Sequence, residues 1–329
     1  MRQLASIQKI LKLEPIEGAD AIVCATVLGW QLVVKKDEFK VGELCVYVEI
    51  DSILPDKPEF EFMKPRGMRV RTIRLRGQVS QGICFPISLL PAFTTIEENE
   101  DVTDVLEIIK YEAPIPPNLA GIMKGNFPSF IPKTDETRVQ VLQKLLDKLE
   151  GTACYVTEKL DGSSVTYYIK DGQFGVCSRN LELEISEENT LWKIAYTLDI
   201  ENKLRALDKN IAVQGEVIGE GIQKNIYKIK GQQVFFFSVF DIGACRYVDY
   251  DAFVETMETL GFNTVPILET NYLLMSDINA LVNKSIGKSV LHKDAYREGI
   301  VIRPLVAADY RQSRDSFKAI NPDFLLKYE

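Results

Sequence analysis

Over the first 112 residues, short apolar and β-branched runs alternate with turn residues. The runs are AIVCATVLG (21–29), WQLVVKK (30–36), LCVYVEID (44–51), RVRTIRLRG (69–77) and GICFPI (82–87). Several short strands at this spacing predict a small all-β barrel over residues 1–112, with an OB-type barrel as the favoured form. A short helix is expected over Lys36–Val41. Residues 113–133 hold Pro114, Pro116, Pro117, Pro128 and Pro132. Proline fixes φ and lacks an amide donor, so this stretch reads as a linker, with Phe127 and Phe130 packed on a surface. A helix is then expected from Thr134 as N-cap, with Asp135 and Glu136 in its first turn. Its apolar face is Val141, Leu142, Leu145, Leu146 and Leu149, and Gly151 ends it. Beyond it, the runs CYVTEKL, SVTYYIK, IAVQGEV, VFFFSVFDI and GIVIRP alternate with helical stretches near 187–207, 249–260 and 277–286. Residues 134–329 thus read as an α+β domain.

Composition narrows the chemistry. The 329 residues are 46% hydrophobic and 26% charged, enough for two ordinary domains without metal or disulfide staples. No apolar run has the length of a membrane span, and the N-terminus lacks a signal-peptide pattern. A soluble intracellular chain with no membrane partner is therefore expected, acting as a monomer. The six cysteines form no C-x-x-C pair, and His292 is the single histidine. A zinc ribbon or a Ser-His-Asp triad has no residues to stand on. Any catalysis must use Lys, Arg, Asp and Glu. The net charge of −8 argues against nonspecific wrapping of nucleic acid but allows a local patch.

Several segments carry that chemistry, in a fixed order. They are EKLDG (158–162), SRN (178–180), GEVIGEGIQKN (215–225), FDI (240–242), EGIVIRP (298–304) and SFKAIN (316–321). This order resembles the covalent nucleotidyltransferases, which include ATP-dependent RNA ligases, DNA ligases and mRNA capping enzymes. The G-E-x-x-G-x-G-I-Q-K-N string is similar to that of RNA ligases that seal nicks in duplex RNA. The resemblance implies a C-terminal adenylyltransferase (ATP-grasp-like ligase core) domain.

It also implies roles. Lys159 is the nucleophile that attacks the α-phosphorus of ATP and expels pyrophosphate. That attack needs a neutral amine, whereas free lysine has a pKa of about 10.4. Asp161, Glu216 and Glu298 stand at the metal-facing positions and are expected to hold hydrated Mg2+ or Mn2+, a hard cation suited to oxygen donors. Glu158, Gly162 and Glu216 join Lys159 at the nucleotide, and Arg179, Arg303 and Lys318 are expected to neutralise phosphate charge. Phe240 is expected to stack on adenine, although a core position in its apolar strand is the other reading. Many relatives carry a second lysine two residues before Lys318. Here Ser316 occupies that position, and Lys327, Arg311 or Arg314 is expected to compensate.

Arg69, Arg71, Arg74 and Arg76, with Lys64 and Arg66, form a basic run without an intervening acid. It reads as a phosphate-tracking groove, with Arg138 as a further nucleic-acid contact. Domain order then favours one subfamily. DNA ligases and capping enzymes carry their OB domain after the last motif, whereas here the barrel comes first. That order resembles RNA ligases with an N-terminal OB domain. The expected activity is ATP-dependent sealing of 3′-OH and 5′-phosphate ends in nicked duplex RNA through lysyl-AMP and AppRNA, as RNA repair. A DNA nick ligase or capping-type enzyme, and an inactive OB-fold RNA-binding protein, are the alternatives.

Overall fold

Strand β1 (Ala5–Ile16) organises the N-terminal unit, because it pairs with two partners at once. Its first half runs antiparallel to β4 (Leu44–Val48) and its second half to β2 (Ala19–Val27). A register shift between Ile10 and Lys12 marks the change of partner, as a bulge does where a sheet bends. With β3 (Trp30–Lys35) and β8 (Ile83–Pro86), the sheet order is β3-β2-β1-β4-β8. Two short pairs complete the strands: β5 (Ser52–Ile53) with β9 (Ile109–Lys110), and β6 (Thr72–Leu75) with β7 (Gln78–Gln81). The β6–β7 turn has positive φ at both Arg76 and Gly77, the geometry of a type I′ hairpin. Ile7, Ile10, Trp30, Leu32, Val46 and Val48 fill the core without solvent exposure. The computed structural model describes residues 3–112, 114–115, 117–308 and 315–329.

The chain divides into two units, Met1–Pro114 with Pro322–Glu329, and Ile115–Asn321. The C-terminal helix Pro322–Tyr328 therefore belongs with the barrel, not with the domain that precedes it in sequence. Asp323 pairs with Arg74 at 3.3 Å, and the Glu329 carbonyl accepts from Arg71 at 3.0 Å. Phe324 and Leu325 are 3% and 2% exposed. Truncating Phe324 to alanine should cost ~3–5 kcal/mol. Denaturant unfolding of the full chain would measure this, and a midpoint within error of wild type would contradict it.

The second unit has two sheets. One is seven-stranded, in the order β10 (Met123–Asn126), β15 (Leu181–Leu183), β14 (Gln173–Cys177), β13 (Ser163–Lys170), β16 (Ile211–Gly219), β17 (Gln232–Asp241), β18 (Arg246–Tyr247). The other is β11 (Thr137–Arg138), β21 (Phe317–Ile320), β20 (Gly299–Pro304), β12 (Ala153–Lys159), β19 (Ile267–Leu273). Helices Thr190–Thr197, Ile200–Arg205 and Tyr250–Leu260 cover the first sheet, with Trp192, Leu204 and Phe253 packed on Tyr167, Val213 and Phe236. Helices Gln143–Leu149 and Ile278–Ser285 cover the second, with Leu146 and Leu281 on Val156, Ile302 and Ala319. Side chains alternate across a strand. Thr157, Lys159, Val301, Arg303 and Lys318 therefore point away from those helices. Among the described residues, no helix is long and apolar enough to cross a membrane.

Several expectations need correction. Residues 36–41 form turns, not a helix. There the Glu38 and Glu43 carboxylates accept from the Lys35 and Lys40 amides, which satisfies those donors without a helix. Residues 113–133 are more than a linker, since β10 lies within them and pairs with β15. Phe127 does pack, in a buried cluster with Ile131, Tyr168 and Phe240. Thr134 caps no helix. Its hydroxyl lies 2.6 Å from that of Ser164, and Thr137–Arg138 pairs parallel to Phe317–Lys318. The extended segment engages Asp135 and Glu136 elsewhere, and the α-helix starts only at Gln143.

Candidate active site

Lys159 is the last residue of β12, opposite Gly299 of β20, so Glu298 lies beside it. After three intervening residues the chain enters β13 in the other sheet, where Ser164 pairs with Glu216 of β16. The K-L-D-G turn is thus the crossing between the sheets, and it brings Lys159, Asp161, Glu216 and Glu298 together. Gly162 is required at this crossing. A Cβ there would lie 2.4 Å from the Val217 carbonyl oxygen and 2.8 Å from Glu216 Cγ. Two side chains that sequence reasoning left unassigned brace the turn. Tyr227 Oη accepts from the Asp161 amide at 2.7 Å, and Gln223 donates to the Gly162 carbonyl at 3.0 Å.

Lys159 Nζ lies 2.7 Å from Glu298 Oε2, with the two side chains 24% and 18% exposed. Burial alone would lower the lysine pKa. The Glu298, Glu216 and Asp161 carboxylates outweigh it, and the net shift is upward. The amine is held as an ammonium in this arrangement. Glu216 is pushed up to about 8, mainly by burial; Lys159 opposes the shift, while Glu298 and Asp161 add to it.

Lys318 moves the other way. Burial, then Lys159 and Arg138, lower it to about 7, against Glu298 and Asp135. Arg138 is its neighbour on the parallel strand β11. This places Arg138 beside Lys318. A polyphosphate brought against Lys318 favours its charged form. Nucleotide binding above pH 7 should therefore take up a proton there. Titration calorimetry at pH 8 in buffers of different ionisation enthalpy should show that uptake without added metal, and Lys318→Gln should lose it. Equal uptake by the variant would remove Lys318 from the phosphate site.

The arginines expected at phosphates pair with acids of the same unit. Arg179 pairs with Asp135 at 2.6 Å. Arg303 donates to Glu136 at 3.4 Å and to Thr157 Oγ1 at 3.2 Å. Ser316 donates to Glu136 at 2.8 Å, so Glu136 takes up the hydroxyl that stands in the lysine position. Arg311 and Arg314 lie outside the described residues, and Lys327 belongs to the barrel unit.

Two nucleotide contacts are placed differently from expectation. Glu158 turns to the opposite face from Lys159, is 1% exposed, and accepts from the Val290 amide at 2.8 Å. Phe240 is 1% exposed, sealed under Phe127 and Ile131, and pairs with Ala212 rather than near Glu216. Phe237 is the half-buried aromatic on this face, with the Arg303 guanidinium 5.6 Å from its ring centroid. It is the last of three consecutive phenylalanines, Phe235–Phe237, at the point where the pairing of β17 with β16 shifts register between Gln214 and Gly215.

Among the described residues, no three Asp, Glu, His or Cys side chains converge closely enough to ligate one ion directly. The set at Lys159 is nonetheless three carboxylates against one amine, all oxygen donors, and burial penalises Glu216 as an anion. A divalent cation held through its own waters fits that charge and those donors.

A two-sheet core with a K-x-D-G lysine among carboxylates, preceded in sequence by an OB-type barrel, defines a ligase-type nucleotidyltransferase. Comparisons with known proteins agree. A family model of an OB-fold domain matches residues 4–87, and the RNA ligase family model matches residues 152–320. Solved structures of a Naegleria gruberi RNA ligase are 38% identical to this chain. A mutant form with AMP and Mn has a TM-score of 0.92 over 98% of each chain. A mutant form with ATP and Mn gives 0.91 over 98% of each. The form with pyrophosphate gives 0.91 over 99% of this chain and 98% of that one. No curated protein sequence matches the chain. The chain belongs to the RNA ligase family.

Proposed function

We propose that this chain is an ATP-dependent RNA ligase that seals 3′-OH/5′-phosphate nicks in duplex RNA, as a monomer, in RNA repair. The observation that carries the reading is Lys159, at 2.7 Å from Glu298 and within the field of Glu216 and Asp161. Lys159 Nζ attacks the α-phosphorus of ATP, forming an N–P bond as the P–O bond to pyrophosphate breaks. Glu298 is placed to accept the proton that the amine gives up. The RNA 5′-phosphate then attacks the lysyl-AMP phosphorus and frees Lys159 as AppRNA forms. The 3′-OH finally attacks the activated 5′-phosphate and releases AMP.

Lys318, Arg138 and Arg179 bind phosphate oxygens, and Arg303 changes partner from Glu136 to do the same. Phe237 takes the adenine face in place of Phe240. Asp161, Glu216 and Glu298 would hold Mg2+ or Mn2+, and the bound ion would supply positive charge that disfavours the Lys159 ammonium. The Naegleria ligase structures with ATP or AMP and Mn support this choice of nucleotide and ion.

The test uses nicked duplexes with ribose placed on one strand segment at a time. RNA is told from DNA by its 2′-OH and A-form geometry. The 3′-OH must lie in line with the activated phosphate, and misplacement by ~1 Å costs ~100-fold in rate. Ribose on the 3′-OH side should be required, and DNA elsewhere should be better tolerated. Equal sealing of an all-DNA nick would replace RNA by DNA as the substrate.

A further inference from the structure

The four charged groups at the nucleophile are not held in the same way. Lys159 ends β12, and Glu298 directly precedes Gly299, its partner in β20, so the ladder between these strands sets both. Glu216 sits within β16, paired with Ser164 on one side and Phe235 on the other. Asp161 lies between β12 and β13, in neither ladder. A partly buried amide in such a turn takes its acceptor from elsewhere in the fold.

That acceptor comes from residues 220–231, the loop between β16 and β17. The ends of the loop meet. The Glu220 amide donates to the Gly231 carbonyl at 2.8 Å, and Gln232 Nε2 donates to the Glu220 carbonyl at 2.9 Å. Its interior is closed on itself by Asn225, whose side chain donates to the Ile229 carbonyl at 3.0 Å and accepts from the Ile229 amide at 3.2 Å. Gln223, Asn225 and Lys228 have φ of 45°, 41° and 54°. Residues with side chains adopt this left-handed region at a cost, and it persists where surrounding contacts over-determine it. Two contacts leave the loop for the K-L-D-G turn. Tyr227, 3% exposed among Leu160, Ile218 and Val265, accepts from the Asp161 amide at 2.7 Å. Gln223 donates to the Gly162 carbonyl at 3.0 Å. Packing alone would be served by a phenylalanine; the Tyr227 hydroxyl is what reaches the turn. The loop is thus a strap that leaves β16 just past Glu216 and ties down the backbone of Asp161.

We propose that Tyr227 and Gln223 are positioning residues for lysine adenylylation, which act by holding the Asp161 carboxylate in register with Glu216 and Glu298. The proposal rests on the ligase reading of this site and adds two residues that act through the turn, not on the reacting atoms.

The test is a double-mutant cycle on the full chain. Tyr227→Phe keeps the ring and removes only the acceptor. At saturating ATP and Mn2+, labelling of the chain should slow roughly tenfold, the scale of one lost hydrogen bond. The ATP concentration for half-maximal rate should stay within about twofold of wild type, because the strap places a carboxylate and not the nucleotide. Gln223→Ala, at an exposed side chain, should slow labelling in the same way. In an Asp161→Ala background, Tyr227→Phe should add less than about twofold, since the carboxylate it places is gone. The same cycle is read without turnover, from the Mn2+ bound in the presence of AMP, by electron paramagnetic resonance of the free ion. Tyr227→Phe should weaken that binding towards the level of Asp161→Ala, and the double variant should match Asp161→Ala. Losses that multiply in both readouts would make Tyr227 a packing residue and overturn the proposal, as would wild-type rate and Mn2+ binding in Tyr227→Phe. Failure of the wild-type chain to form lysyl-AMP would instead overturn the ligase reading, and that is read before any variant is compared.

Discussion

Lys159→Ala should abolish formation of protein-bound AMP, by more than ~10⁴-fold, because no other amine can take the place of the nucleophile. Lys318 is another lysine whose field meets that of Lys159, and it sits two strands away, on β21 opposite Val301 of β20. Labelled ATP with Mg2+ or Mn2+, followed by acid precipitation, measures this directly. Lys159→Arg should fail as completely, since a guanidinium keeps its proton and is a poor nucleophile. The alanine variant also leaves Glu216, Glu298 and Asp161 without their common counter-charge. Glu216, already at about 8, should then titrate higher still. Undiminished labelling of Lys159→Ala would move the nucleophile elsewhere, and Lys318, lowered to about 7, would be the first residue to replace.

The parts of this site that are legible in sequence are those fixed by short-range order. K-x-D-G marks the proposed nucleophile, and the turn it forms needs a glycine that Val217 leaves no room to replace. Glu216 and Glu298 are visible as acids beside glycine in otherwise apolar strands. What is not legible depends on long-range pairing. Arg138 reads as a helix residue near an N-cap, because only the parallel pairing of β11 with β21 carries it to Lys318. The exposed basic run reads as a groove because Asp51, Asp323 and Glu329, its partners, are distant in sequence. Phe237 and Phe240 cannot be told apart by composition. The bulge in β16–β17 and the cover provided by Phe127 decide which ring stays open. Strand β1 escapes notice because its lysines, Lys9 and Lys12, interrupt the apolar run that its bulge divides between two partners.

Glu298→Ala separates two roles that a static ion pair leaves combined. Glu298 is the largest charge that raises the Lys159 pKa, against burial, which lowers it. If its only role were to keep the amine charged between turnovers, its removal would let burial act. Lys159 would then lose its proton more readily, and labelling near neutral pH would rise. If instead it orients the amine and completes the acid set that neutralises a cation at the α-phosphate, its removal should cost ~10²–10³-fold or more in labelling, the scale for losing one electrostatic contact to a developing charge. The second outcome is expected. Glu216 alone is not expected to supply the lost charge, because burial, the main cause of its raised pKa, still disfavours its anion after Glu298 is gone. The pH profile gives the discriminating sign. With Glu298 gone, the Lys159 pKa falls, so the rise of the residual activity with pH should move to lower pH than in wild type. Glu298→Gln keeps a hydrogen-bonding group at 2.7 Å but not the charge, and should show the same acid shift with a smaller loss of rate. Labelling measured from pH 6 to 9 for the three proteins at saturating ATP and metal decides the matter. A Glu298→Ala chain that labels as fast as wild type would leave Glu298 a charge partner and nothing more. A profile that shifts to higher pH would mean that Glu298 was not what held the Lys159 proton.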